Sequence, residues 1–559
     1  VRLVLSALLA SSFATAAFAD PAIAPTLGAA SNFGQGWQPR MLQAALDAGI
    51  RDFRDAVYWD RVERAPGEYV FDTQETLWPD RLPAAGAGTS LTVNNGHSAH
   101  DGGATPHSPA AVEAFAAHAA ATALRFPAIH SVEVGNEFNS ANFVSGPVKD
   151  GSLQERAEAY VALLRATEAA VRTERPNVRI LGGGVHSIPA GYLAMVADLG
   201  GADLMDALVV HPYSTPPEQF ARQVGVLRWQ PAWSDMPLEV TEFGDTNPET
   251  APGYLLRYYC QMAVSGVERV IWYALNDRGD GHVPLISPRG KVTETGRTWQ
   301  QIARRMAGRE VVAFEPDPYT YGCRFGDEVL VIWGAPRRVS ASDSVAFLGP
   351  AGDPEEGPHT LSATDPLVLV ATEGSVLADP QFAPQPLLAD SFHDYRYPHE
   401  GDPHPDADPF RRYVLRGREV PLLTRPGQER GGVPWVPYRA AADDPMVRLT
   451  AETLLPGGTG ERPAEIVHLW EAGLDRVIDL GIDLSPAARS DDGVTLRVAL
   501  NGQLLHEQIV AEPLEWRLDG LAVKDGDRLE IAVGPNRTAT GDVTQYRFRI
   551  WRAGEQADR

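Results

Sequence analysis

Between Ala24 and Gly308 the chain alternates short apolar runs with longer stretches of helical period. The runs are Thr26–Ala30, Asp52–Tyr58, Ser90–Val93, Ser131–Val134, Val178–Leu181, Ala207–Val210, Leu238–Val240 and Val270–Ala274. Helical patterns cover Pro39–Ala48, Ser108–Leu124, Leu153–Glu174, Pro189–Leu199, Glu218–Leu227, Gly253–Ser265 and Thr295–Met306, with a weaker one over Thr73–Ala85. Apolar runs alternating with helices predict βα units and parallel pairing. Eight such units fit a closed (β/α)8 TIM barrel, which takes roughly 250 residues. A doubly wound open sheet would place a glycine-rich phosphate loop after its first strand. Gly28-Ala-Ala-Ser-Asn-Phe-Gly34 does not match that pattern.

After Gly308 the helical period fades. Val311–Phe314, Gly322–Phe325, Val329–Trp333, Ser344–Phe347 and Leu367–Ala371 read as short strands between Gly, Pro and Asp turns. They predict a small β module over residues 309–378. The proline-rich stretch Asp379–Pro386 marks a boundary. Residues 379–559 then read as a β-sandwich of jelly-roll type. Its clearest part is Val494–Leu500, the dipeptide Asn501-Gly502 and Gln503–Val510, a strong hairpin signal. The Asp-, His- and Pro-rich stretch Glu400–Pro409 predicts a solvated loop, with calcium ligation as the rival reading.

Composition narrows the picture. The chain has 559 residues, 44% of them hydrophobic, enough for full cores. The net charge of −24 repels phosphate backbones and anionic lipid, so neither nucleic acid nor a membrane surface is an expected partner. The first residues, VRLVLSALLASSFATAAFAD, carry an arginine, an apolar run and an A-x-A site at Ala17-Phe18-Ala19. They predict a signal peptide over residues 1–19, a barrel over 20–308, and a periplasmic or secreted protein. No later stretch is apolar enough to span a bilayer. The two cysteines, Cys260 and Cys323, form no CxxC. They either pair with each other or stay as thiols.

Barrel chemistry sits at the C-terminal ends of the strands. The fourth run ends Val132-Glu-Val-Gly-Asn-Glu-Phe-Asn139 and the seventh ends Leu238-Glu-Val-Thr-Glu-Phe-Gly244. Each places a glutamate at the mouth, Glu137 and Glu242, whereas Glu133 and Glu239 lie earlier on their strands. Two facing carboxyls suit cleavage of a glycosidic bond: one protonates the leaving oxygen, the other, ionised, attacks the anomeric carbon.

These residues resemble the acid/base and nucleophile positions of clan A, the retaining TIM-barrel glycoside hydrolases. The resemblance implies that Glu137 is the acid/base, Glu242 the nucleophile and Asn136 a partner of the sugar 2-hydroxyl. Ile50–Glu63 with Pro66-Gly-Glu-Tyr-Val-Phe-Asp72 is similar to the clan's second-strand stretch. It implies that Arg54 holds the nucleophile ionised. His211-Pro-Tyr213 resembles the clan's His-x-Tyr and implies that Tyr213 donates to Glu242 while His211 lines the site. Val270–Leu275 implies an aromatic sugar platform, Trp272 or Tyr273, with Trp272 taken first. Asn94-Asn-Gly-His97 adds polar lining, with His97 as its candidate.

Within the clan the chain is most similar to family 39 and the related family 5 branch. Phe138 follows the acid/base where those families carry proline. The C-terminal domain resembles carbohydrate-binding jelly rolls through Asp492-Gly, Asn501-Gly and Asp525-Gly-Asp527, with a purely structural sandwich as the alternative. The implied activity is retaining hydrolysis of β-linked poly- or oligosaccharide, an exopolysaccharide among the candidates, with no cofactor and no metal. Rival readings are a transglycosylase on the same site and an inactive carbohydrate-binding or assembly protein. The oligomeric state is left open.

Overall fold

The structure, a computed structural model, describes residues 22–554 apart from 37, 95, 373–376 and 400–407. The expected signal peptide, Asn95 and most of the Glu400–Pro409 stretch lie outside the described residues. Eight parallel strands close a barrel: β1 (Thr26–Ala30), β2 (Asp52–Asp55), β3 (Gly88–Val93), β4 (Ile129–Val134), β5 (Arg179–His186), β6 (Ala207–His211), β7 (Leu238–Phe243) and β8 (Val267–Trp272). β8 returns to pair with β1. Among the described residues the helices of nine residues or more are α1 (Pro39–Asp47), α2 (Pro109–Arg125), α3 (Leu153–Glu174), α4 (Ala190–Asp198), α5 (Pro217–Leu227), α6 (Ala251–Val264) and α7 (Glu294–Arg305).

Local chemistry sets the helix starts. Pro109 opens α2 behind Ser108, whose hydroxyl accepts from the Ala111 amide. Ser152 and Glu155 form a capping box ahead of α3, satisfying amides that have no intrahelical partner. The weak helical pattern over Thr73–Ala85 breaks into three short helical turns at Gln74–Leu77, Trp78–Arg81 and Pro83–Ala85. Pro79 and Pro83 each begin or interrupt a turn, because proline cannot donate within a helix.

After α7 an antiparallel sheet of six strands forms, including Glu310–Ala313, Thr320–Phe325, Val329–Gly334, Leu367–Ala371 and Val345–Leu348. One of its two edge strands is Ala22–Ile23, from just before β1. Cys323, Val331 and Trp333 belong to the same buried cluster as the barrel's outer layer. Cys260 of α6 and Cys323 are joined by a disulfide, with Cα atoms 5.8 Å apart.

The C-terminal region is a fourteen-stranded antiparallel sheet folded into two leaves, with Glu419–Arg425 pairing into both. Leu496 and Val498 from one leaf share a core with Leu480 and Ile482 from the other. The Asn501-Gly502 turn has both residues at positive φ, 51° and 78°, as a type I′ hairpin requires. Among the described residues no helix is long and apolar enough to cross a membrane.

Candidate active site

β4 runs through Gly135 into Asn136 and Glu137. Glu137 adopts φ 47°, and its amide donates to the Gly184 carbonyl of β5 at 2.5 Å. This fixed turn carries the buried Glu137 carboxylate to the barrel mouth. Phe138, in place of proline, packs its ring 5.4 Å from Tyr160 and anchors the turn in the core. Glu242 sits near the end of β7, partly buried. One oxygen of Glu137, one of Glu242 and one ring nitrogen of His211 lie within 4.8 Å of one another.

Arg54 on β2 organises the floor. Its guanidinium pairs with Glu242 Oε1 and with both oxygens of Glu133, at 2.8 and 2.7 Å. It also donates to Asn136 Oδ1 at 2.9 Å, so the Asn136 NH2 remains to donate to a ligand. The Tyr213 hydroxyl donates to Glu242 Oε2 at 3.1 Å. Burial and the Glu242 charge keep that phenol protonated, far above its ordinary range. Burial alone would push the Glu133 carboxyl up, but the Arg54 charge and hydrogen bonds hold it far below.

His211 is fully buried beneath the two carboxylates. Its Nδ1 faces Glu137 Oε1 at 3.2 Å and its Nε2 faces Thr241 Oγ1 at 3.0 Å. Burial disfavours its cation, but the Glu242 charge and the bonds to Glu133 and Glu137 outweigh it and raise its pKa to about 9. Burial likewise pushes Glu137 up. Hydrogen bonds from His186 (3.1 Å) and His211 overcome it and bring the carboxyl to about 2. In the resting site, therefore, Glu137 is ionised and the proton rests on His211.

Arg54, Asn136, Glu137, Tyr213 and Glu242 all line one cavity of about 940 Å³ at the mouth. Two expected positions are corrected. Trp272 is fully buried, its indole donating to the Val283 carbonyl at 3.0 Å with its ring against Phe243. Tyr273, one residue on and so directed oppositely, lines the cavity instead. Its hydroxyl donates to Asp280 at 2.6 Å and its ring lies under the Arg278 guanidinium. His97 is not a lining residue. Its Nε2 bonds the Glu63 carbonyl at 3.1 Å, its Nδ1 accepts from the Ala99 amide, and its ring meets Trp59. Asn94, three residues earlier, does line the cavity. His211 lies under the site rather than at its surface.

His186 was not visible in sequence as a site residue. It closes β5 after a register shift between Gly182 and Val185, a bulge that re-aims the strand end. The strand-end rule that picked out Glu137 also points to it, once β5 is taken five residues past its apolar run. Glu133 was placed elsewhere by its position, yet it anchors Arg54 beneath the mouth.

Among the described residues two groups have donor atoms close enough for a metal ion: Glu137, His211 and Glu242, and Glu63, His97 and His100. The first already holds the Arg54 cation and a protonated histidine, which oppose a second cation. In the second, Glu63 accepts from the Trp59 indole (2.6 Å) and the Gly67 amide (2.6 Å) and bonds His100 Nε2 (3.0 Å), which commits its carboxylate to the loop.

No family model and no curated protein sequence matches the chain. Among solved structures it is similar to a family 39 glycoside hydrolase from the gut symbiont Bacteroides cellulosilyticus WH2. That match has 17% identity and a TM-score of 0.51, covering 62% of this chain and 81% of that one. It also aligns with a GH39 β-xylosidase from Caulobacter crescentus at 17% identity and a TM-score of 0.44, covering 63% of this chain and 98% of that one. The first of these likenesses establishes a shared fold.

Proposed function

We propose that the chain is a retaining glycoside hydrolase acting on β-linked poly- or oligosaccharide, with Glu242 as nucleophile and Glu137 as acid/base. The observation that carries this reading is the approach of one oxygen of Glu137 to within 4.8 Å of one oxygen of Glu242 across the mouth. Retaining enzymes hold their carboxyls about 5–5.5 Å apart, whereas inverting ones leave about 6.5–9.5 Å for a water.

Arg54 and Tyr213 each hold one oxygen of Glu242 and fix its orientation for attack on the anomeric carbon. His211 Nδ1 passes its proton to Glu137 Oε1 across their 3.2 Å contact, and Glu137 delivers it to the leaving oxygen as the glycosidic bond breaks. His211 is then neutral, with its Nε2–H still bonded to Thr241. In the second step the Glu137–His211 pair accepts a proton from water, the water oxygen displaces Glu242, and the starting state returns. The two groups titrate as a unit. Asn136 offers its NH2 to the sugar beside the reacting carbon. The Cys260–Cys323 disulfide supports work outside a reducing cytoplasm, in keeping with the leader-like first residues.

The test is proton NMR of the anomeric configuration on a panel of aryl β-glycosides and bacterial polysaccharides, with intact-mass analysis after a 2-deoxy-2-fluoro glycoside. Retained configuration and a covalent adduct on Glu242, both abolished in Glu242→Ala, are expected. Inversion, or an adduct elsewhere, refutes the assignment. Transfer to sugar in place of water in the product profile would make the enzyme a transglycosylase.

A further inference from the structure

Residues 426–437, in the C-terminal β domain, connect Glu419–Arg425 to Tyr438–Ala441. They do not face away from the barrel. Gln428 is buried and exchanges two hydrogen bonds with Asn139, two residues past Glu137, at 2.8 and 3.1 Å. The Gly191 amide of α4 donates to the Gly427 carbonyl at 2.9 Å. Both glycines are required there: a Cβ on Gly191 would meet Gly427 O at 2.5 Å, and one on Gly427 would meet Val436 O at 2.4 Å. The connection is also braced from within, by the Gln428 amide on the Pro434 carbonyl (2.7 Å) and the Tyr438 hydroxyl on Glu429 (2.5 Å).

This rigid connection presents Trp435, 37% exposed, edge-on to His186 with ring centroids 5.3 Å apart. His186 in turn bonds Glu137. A second cavity of about 310 Å³ adjoins the catalytic one at His186, which lines both. Its walls come from the barrel (Ser187, Ser214, Gln219) and from the C-terminal domain (Trp435, Glu452). Gln219 is fully buried and donates to the Phe392 carbonyl, but its Oε1 has no hydrogen-bond partner. A buried acceptor left unpaired is costly, and a ligand hydroxyl would satisfy it.

We infer that the C-terminal β domain builds the leaving-group subsite of the barrel's active site. Trp435 is the face on which a leaving-group sugar packs, and Gln219 and Glu452 bind its hydroxyls. The inference rests on the glycoside hydrolase reading above, which fixes the side. The proton donor stands at the glycosidic oxygen, so the groups beyond Glu137 and His186 face the part of the chain that departs. A pyranose matches the site chemically: its C–H face suits an indole, and its hydroxyls suit an amide oxygen and a carboxylate. The domain is on this view a wall of the site rather than a tethered module.

The experiment compares kcat/KM for a β-linked oligosaccharide with that for the aryl β-glycoside of the same sugar, in the full chain. The aryl group is too short to fill the second cavity. In Trp435→Ala the oligosaccharide-to-aryl ratio is expected to fall roughly tenfold or more, and Trp435→Phe to recover most of it. Gly191→Ala, which pushes on Gly427, is expected to lower the same ratio. An unchanged ratio in Trp435→Ala, with equal losses on both substrates or none, overturns the subsite. Activity that survives Glu242→Ala sinks the hydrolase reading and leaves the ratio readable. If the wild type turns over no substrate, calorimetric titration of the same oligosaccharides decides. Binding weakened in Trp435→Ala upholds the subsite, and binding equal in both, or absent from the wild type, overturns it.

Discussion

Arg54 is the guanidinium that serves two carboxylates, Glu133 and Glu242, together with Asn136; Arg54, Glu133 and Asn136 are buried and Glu242 is partly so. Lysine would keep the charge but lose the fork that holds three acceptors at once. Arg54→Met would leave buried carboxylates unpaired. It is expected to cost about 3–5 kcal/mol in urea unfolding and to abolish turnover, whereas Arg54→Lys lowers turnover with a smaller stability loss. His211 gives a second test. Its pKa rises from about 6.5 unfolded to about 9 folded, so the native state holds the extra proton between those values. That stabilisation is complete below pH 6.5 and is lost as pH climbs through 9. The alkaline limb of kcat/KM should fall in the same region, because the relayed proton is then gone. In His211→Asn both the loss of stability and the limb should move, which pH-dependent unfolding and rate profiles would read. Glu137, Glu242, Arg54 and Tyr213 were legible in sequence because strand ends point to the mouth and each has a charge or hydroxyl to deliver. Tyr273 and Trp272 differ only in strand parity at the last residue. His97 reads in sequence as polar lining of the site, but it is a buried ring that found backbone partners.

At the scale of elements, helices were read closely where capping is written into the chain. α3 spans Leu153–Glu174 as its pattern predicts, behind the Ser152–Glu155 box. Strand ends were harder, because polar residues that extend a strand carry no apolar signal. β5 runs to His186, beyond its apolar residues, through three glycines. The turns of the C-terminal domain show what their polar residues do locally. Asp492 accepts from the amides of Arg537 and Thr538, and Asp527 from Lys524 and Asn501. Asp492 and Asp527, part of the pattern that resembles a sugar-binding module, thus brace their own loops. The disulfide between α6 and Thr320–Phe325 makes an element-level prediction. It closes a loop with a sequence separation of 63, for which chain entropy gives about 4 kcal/mol of stabilisation. Replacing both cysteines with serine, or reducing the native protein, should lower the thermal midpoint and free the small sheet from the barrel first. That order is readable by hydrogen exchange at Thr320–Phe325 against β4. Equal protection at both sites would show that the sheet is held by its packing alone.

At the scale of the molecule, the three parts predicted as successive units meet along one buried seam, residues 390–397. The Phe392 carbonyl accepts from Gln219 of α5 at 2.9 Å and the Tyr395 carbonyl accepts from Arg222 at 3.1 Å. From the small sheet, Tyr321 bonds His393 at 3.0 Å and Tyr319 donates to Asp394 at 3.1 Å. No composition shift advertises this seam, because its contacts join residues far apart in sequence. Such a seam should make unfolding cooperative across all three parts. Calorimetry of the intact chain is therefore expected to show a single transition. A chain ending at Pro386, which leaves Tyr319, Tyr321 and Gln219 without these partners, should melt lower or aggregate. The seam also carries its own titration. Burial, reinforced by the neighbouring Asp390 charge, raises the Asp394 carboxyl to about 7, against about 3.9 in an unfolded chain. The folded state thus holds a proton that the unfolded state releases between these values. That contribution is whole below pH 3.9, declines as pH rises and is gone above 7. Asp394→Asn, which fixes the neutral form, should flatten the fall in thermal midpoint from pH 5 to pH 8. Two separate transitions in the wild type, with a truncated chain melting at the same temperature as its barrel, would mean that the domains fold independently and that the seam couples nothing.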